Sequence, residues 1–114
     1  MANPPSRIVS TLTTEVPHEP LPSHQVVAGR PTTGLRELGG LGDAQYGVWE
    51  ISTGVSTDVE SDEVFVVLSG RARIDFPDDG SSIDVGPGDL VRLRAGENTV
   101  WTVSETLRKV YFAL

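Results

Sequence analysis

The stretch TGVSTDVESDEVFVVLSG, residues 53–70, passes from an acidic segment into an apolar run that ends in a glycine. Four carboxylates fall within six residues of it, and they are Asp58, Glu60, Asp62 and Glu63. Runs rich in valine and phenylalanine at this length are typical of β-strands. The stretch therefore predicts a strand that begins near Glu63, with an acidic turn in front of it.

Short strand-like segments continue to the end of the chain. From residue 45 onward, runs rich in β-branched and aromatic residues alternate with glycine, proline, aspartate or asparagine. The segment RARIDF, residues 71–76, alternates apolar and polar residues, and PDDG, residues 77–80, is typical of a turn that closes a hairpin. No stretch shows a sustained helical period with caps. We predict a single all-β domain, either a sandwich or a barrel.

The N-terminal third has a different composition. Six of the eight prolines and both histidines, His18 and His24, lie within residues 1–31. Proline removes a backbone donor, so we expect residues 1–33 to form an extended arm that either wraps over the domain or frays. Residues 34–44, TGLRELGGLGD, are rich in glycine and are expected to be largely loop. Residues 34–114 are then the β-domain.

Composition excludes several function classes. A net charge of −7 argues against binding to nucleic acid or anionic lipid. The chain has no cysteine, which excludes thiolate metal sites, disulfides and a cysteine nucleophile. No apolar run is long enough to span a bilayer, and the N-terminus lacks the pattern of a signal peptide. A soluble cytoplasmic protein is the expectation.

Two motifs resemble those of the cupin superfamily of small β-barrels. In the first, Glu63 is followed by six residues and then Gly70. In the second, Gly88 is followed by DLVRL and RAG, with Arg94 where proline is usual. Residues 34–114 are most similar to the ureidoglycine aminohydrolase and ethanolamine-utilisation cupin domains. The resemblance implies a jelly-roll barrel, the double-stranded β-helix fold, and commonly a homodimer.

The resemblance breaks down at the metal ligands. Metal-binding cupins place two histidines before the motif glutamate and a third after the second motif. The matching positions here are Ser56 and Asp58, or Thr57 and Val59 with shorter spacing, and then Thr99. Without imidazole, only oxygen ligands such as Asp58 and Glu63 remain, and these suit Mg, Mn or Ca weakly. We therefore predict no cofactor, with a weakly held divalent cation as the alternative.

The resemblance also implies a site inside the barrel. Glu63 at the matched position would face the lumen, with Phe65 and Val67 on the same face of the strand. An apolar enclosure would raise its pKa and suit it to proton transfer, with Asp58 as its companion. Glu60 and Asp62 are expected in a solvated turn. For Arg92, Arg94 and Lys109 we favour surface positions or pairing with the acids over contact with an anionic ligand. The full set of candidate ligand-binding residues is Trp49, Ser56, Phe65, Arg92, Thr99, Trp101 and Tyr111.

Three functions fit these observations. The first is an enzyme acting on a small ureido, amino or sugar compound, with Glu63 and Asp58 transferring protons and C–N hydrolysis as the first reaction to test. The second is a non-catalytic, metal-free cupin that binds a small-molecule ligand. The third is a structural dimer whose arm exchanges between subunits, and it is compatible with either of the others.

Overall fold

Residues 7–114, which the computed structural model describes, form strands and turns with no α-helix. A short 3-10 turn occupies Ser23–Gln25. The strands are β1 (His18–Pro20), β2 (Val26–Ala28), β3 (Thr32–Leu41), β4 (Ala44–Ile51), β5 (Gly54–Val59), β6 (Glu63–Phe76), β7 (Ser81–Val85), β8 (Leu90–Leu93) and β9 (Asn98–Ala113). The predicted all-β class is confirmed.

The two longest strands, β6 and β9, organise the sheet. They pair antiparallel along most of their length, and their register shifts between Val67 and Ala72. Gly70 lies at this break with φ of 88°, a conformation that glycine adopts without strain. One half of the sheet runs β8-β6-β9-β4-β3-β1, and the other runs β7-β6-β9-β5-β2. The sheet therefore folds over on itself, which confirms the cupin-type barrel.

The core fills the space between the two halves, and the predicted strand faces are correct. Phe65 and Val67 are 0% and 1% exposed, whereas Val64 and Val66 are half-buried on the outer face. The predicted hairpin is confirmed as well, since β6 and β7 pair up to the PDDG turn. The cluster of buried core residues is Ile51, Phe65, Val67, Ala72, Ile74, Val85, Val91, Leu93, Trp101, Val103, Leu107 and Tyr111.

The expected loop at residues 34–44 is wrong, because this segment belongs mostly to strand β3. It pairs with β4 over almost its whole length, and a β-bulge lies between Glu37 and Gly39. Its glycines make room for close neighbours. A side chain on Gly34 would come within 2.6 Å of Val16, and one on Gly39 within 2.6 Å of the Tyr46 hydroxyl. Tertiary packing explains these glycines, so their local propensity for loops does not apply.

The arm wraps over the outer face of the barrel. Strand β1 pairs with β3, and Val16 is buried at 9% exposure. The guanidinium of Arg36 donates to the carbonyl of Glu15 at 3.0 Å, and that of Arg108 donates to the carbonyl of Thr11 at 2.8 Å. Residues 1–6 of the arm lie outside the described part of the chain. Exchange of the arm between subunits stays a prediction.

An apolar patch remains on the outer face of the β8-β6-β9 region. Val64, Val66 and Leu68 are half-buried there, while Phe112 and Leu90 are 43% and 69% exposed. Strand β6 is apolar on both faces, which predicts that its outer face is covered by other parts of the protein. Within residues 7–114, this outer face is only partly covered. Contact with a second subunit at this patch stays a prediction.

Candidate functional site at the mouth of the barrel

A buried lysine forms the centre of the site. Lys109 lies on the inner face of β9 between Leu107 and Tyr111, and it is 5% exposed. Its ammonium donates a hydrogen bond to Glu63 Oε2 at 2.5 Å. Three rings surround the same nitrogen, with centroids at 4.1 Å for Phe65, 4.4 Å for Trp49 and 5.2 Å for Trp101. Glu63 thus begins β6 facing the lumen, as its position predicts.

Burying these two charges is unfavourable unless their surroundings compensate. Removing an ion from water costs several kcal/mol, and a close counter-ion recovers that cost only with good geometry. Here the short contact with Glu63 is supplemented by the negative faces of the rings, each contributing about 0.5–2 kcal/mol depending on desolvation. The Lys109 nitrogen therefore lies inside an aromatic cage formed by Trp49, Phe65 and Trp101.

Glu60 is the main correction to the expected site. It was predicted in a solvated turn, but it is buried at 9% exposure. Its Oε2 accepts hydrogen bonds from the Thr99 hydroxyl at 2.6 Å and from the Trp101 indole N–H at 3.1 Å. Desolvation raises the pKa of Glu60, and these two hydrogen bonds oppose the rise. The turn before β6 bends inward far enough to bring this carboxylate over the end of β9.

Asp58 lies at the rim of the same cluster. It is opposite Thr99 in the β5–β9 ladder and is exposed. Its Oδ1 accepts a hydrogen bond from the Val59 N–H at 2.8 Å. Partial desolvation raises the pKa of Asp58, while the charge of Lys109 acts in the opposite direction. A surface depression of about 270 Å³ lies beside Asp58 and Thr99, and His24 of the arm lines its other side.

The other predicted lining residues are divided between the core and the rim. Trp49 and Trp101 meet edge to face at 5.6 Å, and Ser56 is buried opposite Trp101 in the ladder. Tyr111 is buried opposite Phe65, and desolvation raises its pKa, with the charges of Glu37 and Glu63 adding to the effect. The structure therefore brings most of the predicted residues to one end of the barrel.

Arg92 is not brought to the lumen. It pairs with Val64 in the β6–β8 ladder and so lies on the outer face, where its guanidinium donates to Asp62 Oδ1 at 3.1 Å. Asp62 also accepts the Ala95 N–H at 3.2 Å. Its side chain is 39% exposed, as expected for the turn. The prediction that Arg92 contacts a ligand inside the barrel is therefore corrected. At its position on β8 the side chain points outward, away from the lumen.

The residues present do not fit the metal centre of metal-binding cupins. Within residues 7–114, no group of three histidine, cysteine or acidic side chains could hold a metal ion. Each nearby acid already accepts from an internal donor: Glu63 from Lys109, Glu60 from Thr99 and Trp101, and Asp58 from Val59. A hard cation that needs six or more oxygen ligands would have to break these contacts.

Sequence reasoning missed the central position of Lys109. The signal was present, since Lys109 is two residues from both Leu107 and Tyr111 and shares their face in a strand. The favoured interpretation for this lysine is a surface position or pairing with an acid; the structure shows the pairing, in a buried position and not at the surface. Glu60 carried no comparable signal, because it lies in a turn, where side-chain parity is undefined.

The fold and this site define a small cupin. The chain belongs to the EutQ-like cupin domain family, which matches residues 38–111. The resemblance to cupins is thereby confirmed at the level of this family. No curated protein matches the sequence significantly. Residues 7–114 contain no helix long and apolar enough to cross a membrane.

Solved structures show the same fold. The EutQ protein of Clostridium difficile superposes with a TM-score of 0.62 at 20% identity, covering 73% of this chain and 68% of that one. A protein of unknown function from Rhizobium leguminosarum gives 0.63 at 25% identity, covering 71% and 79%. A DUF861-family protein of unknown function from Pseudomonas syringae gives 0.75 at 21% identity, covering 90% of this chain and 45% of that one. These likenesses establish architecture, and activity must be argued from the site.

Proposed function

We propose that the mouth of the barrel binds a small, donor-rich polar metabolite, such as an amino or ureido compound, and that it does so without a metal. The observation that carries this proposal is the Lys109–Glu63 pair enclosed by aromatic rings. Ionisable groups whose pKa values are shifted by burial and by neighbouring charges are concentrated at functional sites. Structural stability alone gives little reason to keep such a pair.

The charges indicate which ligands fit. Three carboxylates share the neighbourhood of one ammonium: Glu63 accepts its hydrogen bond, and its charge acts on Asp58 and Glu60 without a direct contact. Carboxylate acceptors therefore outnumber ammonium donors here. Asp58 is the exposed member and lines the depression of about 270 Å³. Small-molecule sites typically combine apolar walls with a few convergent polar groups. A neutral or cationic ligand with N–H donors suits this mouth better than an anion.

A thermal-shift and calorimetry series tests this proposal. The probes are methylurea, glycinamide and ethanolamine, with acetate and propionate as anionic controls. We expect the donor-rich compounds to raise the melting temperature and the anions to have no effect. Asp58→Asn should weaken binding at least tenfold, whereas Asp84→Asn, an exposed carboxylate on β7, should leave it unchanged. Equal responses to both probe classes would refute the proposed ligand class.

A second candidate is catalysis of C–N hydrolysis at the same mouth. The observation that favours it is the raised pKa of an exposed carboxyl, Asp58, which suits proton transfer closer to neutral pH. Glu63 would then hold Lys109 in place and complete the charge arrangement. Ammonia release from ureido and amide substrates is the assay, and Glu63→Gln should abolish it. Full turnover in that variant would exclude Glu63 from the reaction.

The apolar patch of Val64, Val66 and Phe112 supports a homodimer as part of the proposal. Sedimentation equilibrium of the purified chain would measure the assembly directly. A monomer at all concentrations would remove this part without affecting the ligand site.

A further inference from the structure

Lys109 donates a hydrogen bond to the glutamate at which the cupin resemblance implies a metal ligand. By the motif spacing, Glu63 matches the carboxylate that ligates metal in metal-binding cupins. In this chain, Glu63 Oε2 instead accepts from Lys109 Nζ at 2.5 Å. The side chain of Lys109 is 6% exposed and that of Glu63 is 14% exposed, so the pair is enclosed. The barrel thus carries a cation that is covalently part of its own strand.

The walls around that ammonium have the composition of a receptor for alkylammonium groups. Phe65, Trp49 and Trp101 all approach the nitrogen within 5.2 Å of their ring centroids. Aromatic cages of this kind are how proteins recognise free ammonium ligands. The remaining attraction comes from Glu63 and from the longer-range charges of Glu60 and Asp58, whose pKa values Lys109 lowers from what burial alone would produce.

We propose that Lys109 is a tethered cation that occupies the cation-binding position of the barrel, and that removing its side chain converts the lumen into a receptor for free primary amines. Truncation to alanine would delete three methylenes and the ammonium and leave a cavity of that shape beside Glu63. The molecule that restores the missing atoms is n-propylammonium. A divalent ion is a poorer replacement, because Glu60 and Asp58 keep their own internal donors.

The experiment is chemical rescue of Lys109→Ala. Melting temperature is followed against increasing n-propylammonium chloride, with n-propanol as the neutral isostere and sodium chloride as the ionic-strength control. We expect n-propylammonium to stabilise the variant progressively, as a ligand that binds only the folded state must, with a dissociation constant at least tenfold below that of n-propanol. The wild-type protein should respond more weakly to n-propylammonium than Lys109→Ala does, because its own lysine fills the cavity and the amine can reach only the depression beside Asp58. Equal effects of the amine and the alcohol would overturn the proposal.

Two further measurements keep the test decisive. Lys109→Met fills the same space with an uncharged side chain, so n-propylammonium should stabilise it no more than it stabilises the wild-type protein. Stabilisation equal to that of Lys109→Ala would overturn the proposal. If Lys109→Ala does not fold alone, it is refolded from urea with each additive. Recovery of folded protein with the amine only supports the proposal, and recovery with neither additive overturns it.

Mn²⁺ titration followed by electron paramagnetic resonance tests the metal side of the inference. The wild-type protein should leave the free Mn²⁺ signal unchanged, whereas stoichiometric binding that depends on Glu63 would overturn a tethered cation. The rescue experiment measures n-propylammonium binding in the Lys109 variants. The metabolite series instead measures binding of donor-rich compounds where Lys109 is intact. Failure of the proposed ligand class therefore leaves this inference standing, and the reverse also holds.

Discussion

Two sets of charged side chains link strands within residues 7–114, and their surroundings differ. In the lumen, Lys109 and Glu63 meet inside the aromatic cage, with side chains 6% and 14% exposed. On the outer face, Glu50 accepts from His18 Nε2 at 2.7 Å and from Arg108 Nε at 2.8 Å, with the His18 side chain 27% exposed. The first pair is enclosed by rings, whereas the second reaches water.

The outer network fastens the arm. His18 belongs to β1, and Arg108 also donates to the carbonyl of Thr11. Desolvation raises the pKa of Glu50, but hydrogen bonds from His18 and Arg108, with the charges of both, more than offset it and hold the pKa below its usual value. Similar ion pairs therefore have different roles in the two regions. The outer network reaches water mainly at His18, since Arg108 and Glu50 are 11% and 18% exposed, and it fastens a segment of the chain. The enclosed pair is costly to break because a lone buried charge would remain.

The largest expected effect comes from breaking the lumen pair. Lys109→Met leaves the Glu63 carboxylate buried without its partner, so unfolding free energy should fall by about 3–5 kcal/mol. Urea denaturation at pH 7 measures it. The double variant Lys109→Met with Glu63→Gln removes both charges and should recover most of the loss. A loss of unfolding free energy below about 1 kcal/mol in the single variant would show that the pair contributes no more than an ion pair at the protein surface.

A smaller effect is expected where the arm crosses β3. Alanine at Gly34 would place a Cβ 2.5 Å from the Pro17 carbonyl oxygen and 2.6 Å from Val16, so the arm must move. We expect a loss of about 1–3 kcal/mol from this overpacking and faster proteolysis of the arm. Gly40→Ala on the same strand is the control, since its nearest neighbour would be 3.3 Å away. Equal effects at the two glycines would contradict an arm docked on Gly34.

The smallest effects are in pH dependence, and their signs are opposite in the two regions. Glu50 has a lowered pKa, so its contribution is present above the ordinary value of 4.5 and is lost as pH falls below it. Glu60 has a raised pKa, so the wild-type protein loses stability from this group as pH rises above 4.5. Urea midpoints from pH 3 to pH 8 measure both.

The matched variants are Glu50→Gln and Glu60→Gln. Relative to wild type, Glu50→Gln should be about 1 kcal/mol less stable at neutral pH, and the deficit should shrink below pH 4.5. Glu60→Gln keeps an oxygen that can accept from Thr99 and Trp101, and it should gain stability relative to wild type as pH rises. Parallel pH profiles for the two variants would contradict the contrast between the two regions.

Much of the fold could be predicted because strand parity is a local property. The alternation in RARIDF and the apolar run after Glu63 placed Ala72, Ile74, Phe65 and Val67 on the inner face, where the structure has them. The loop expected over residues 34–44 failed because glycine was interpreted by its local propensity. At Gly34, the absence of a side chain leaves room for Val16 and Pro17 of the arm, which local sequence propensity does not reveal.

The candidate site divides in the same way. By itself the sequence determined the strands, their faces, the motif position of Glu63 and the absence of histidine ligands, because each depends on spacing within one strand or motif. The contact of Lys109 with Glu63 across 46 residues, and the inward turn of Glu60 to Thr99 across 39, arise only when the strands pack together. Those contacts depend on how β6 and β9 bend together and how the turn before β6 closes, and a period of two residues carries no information about either.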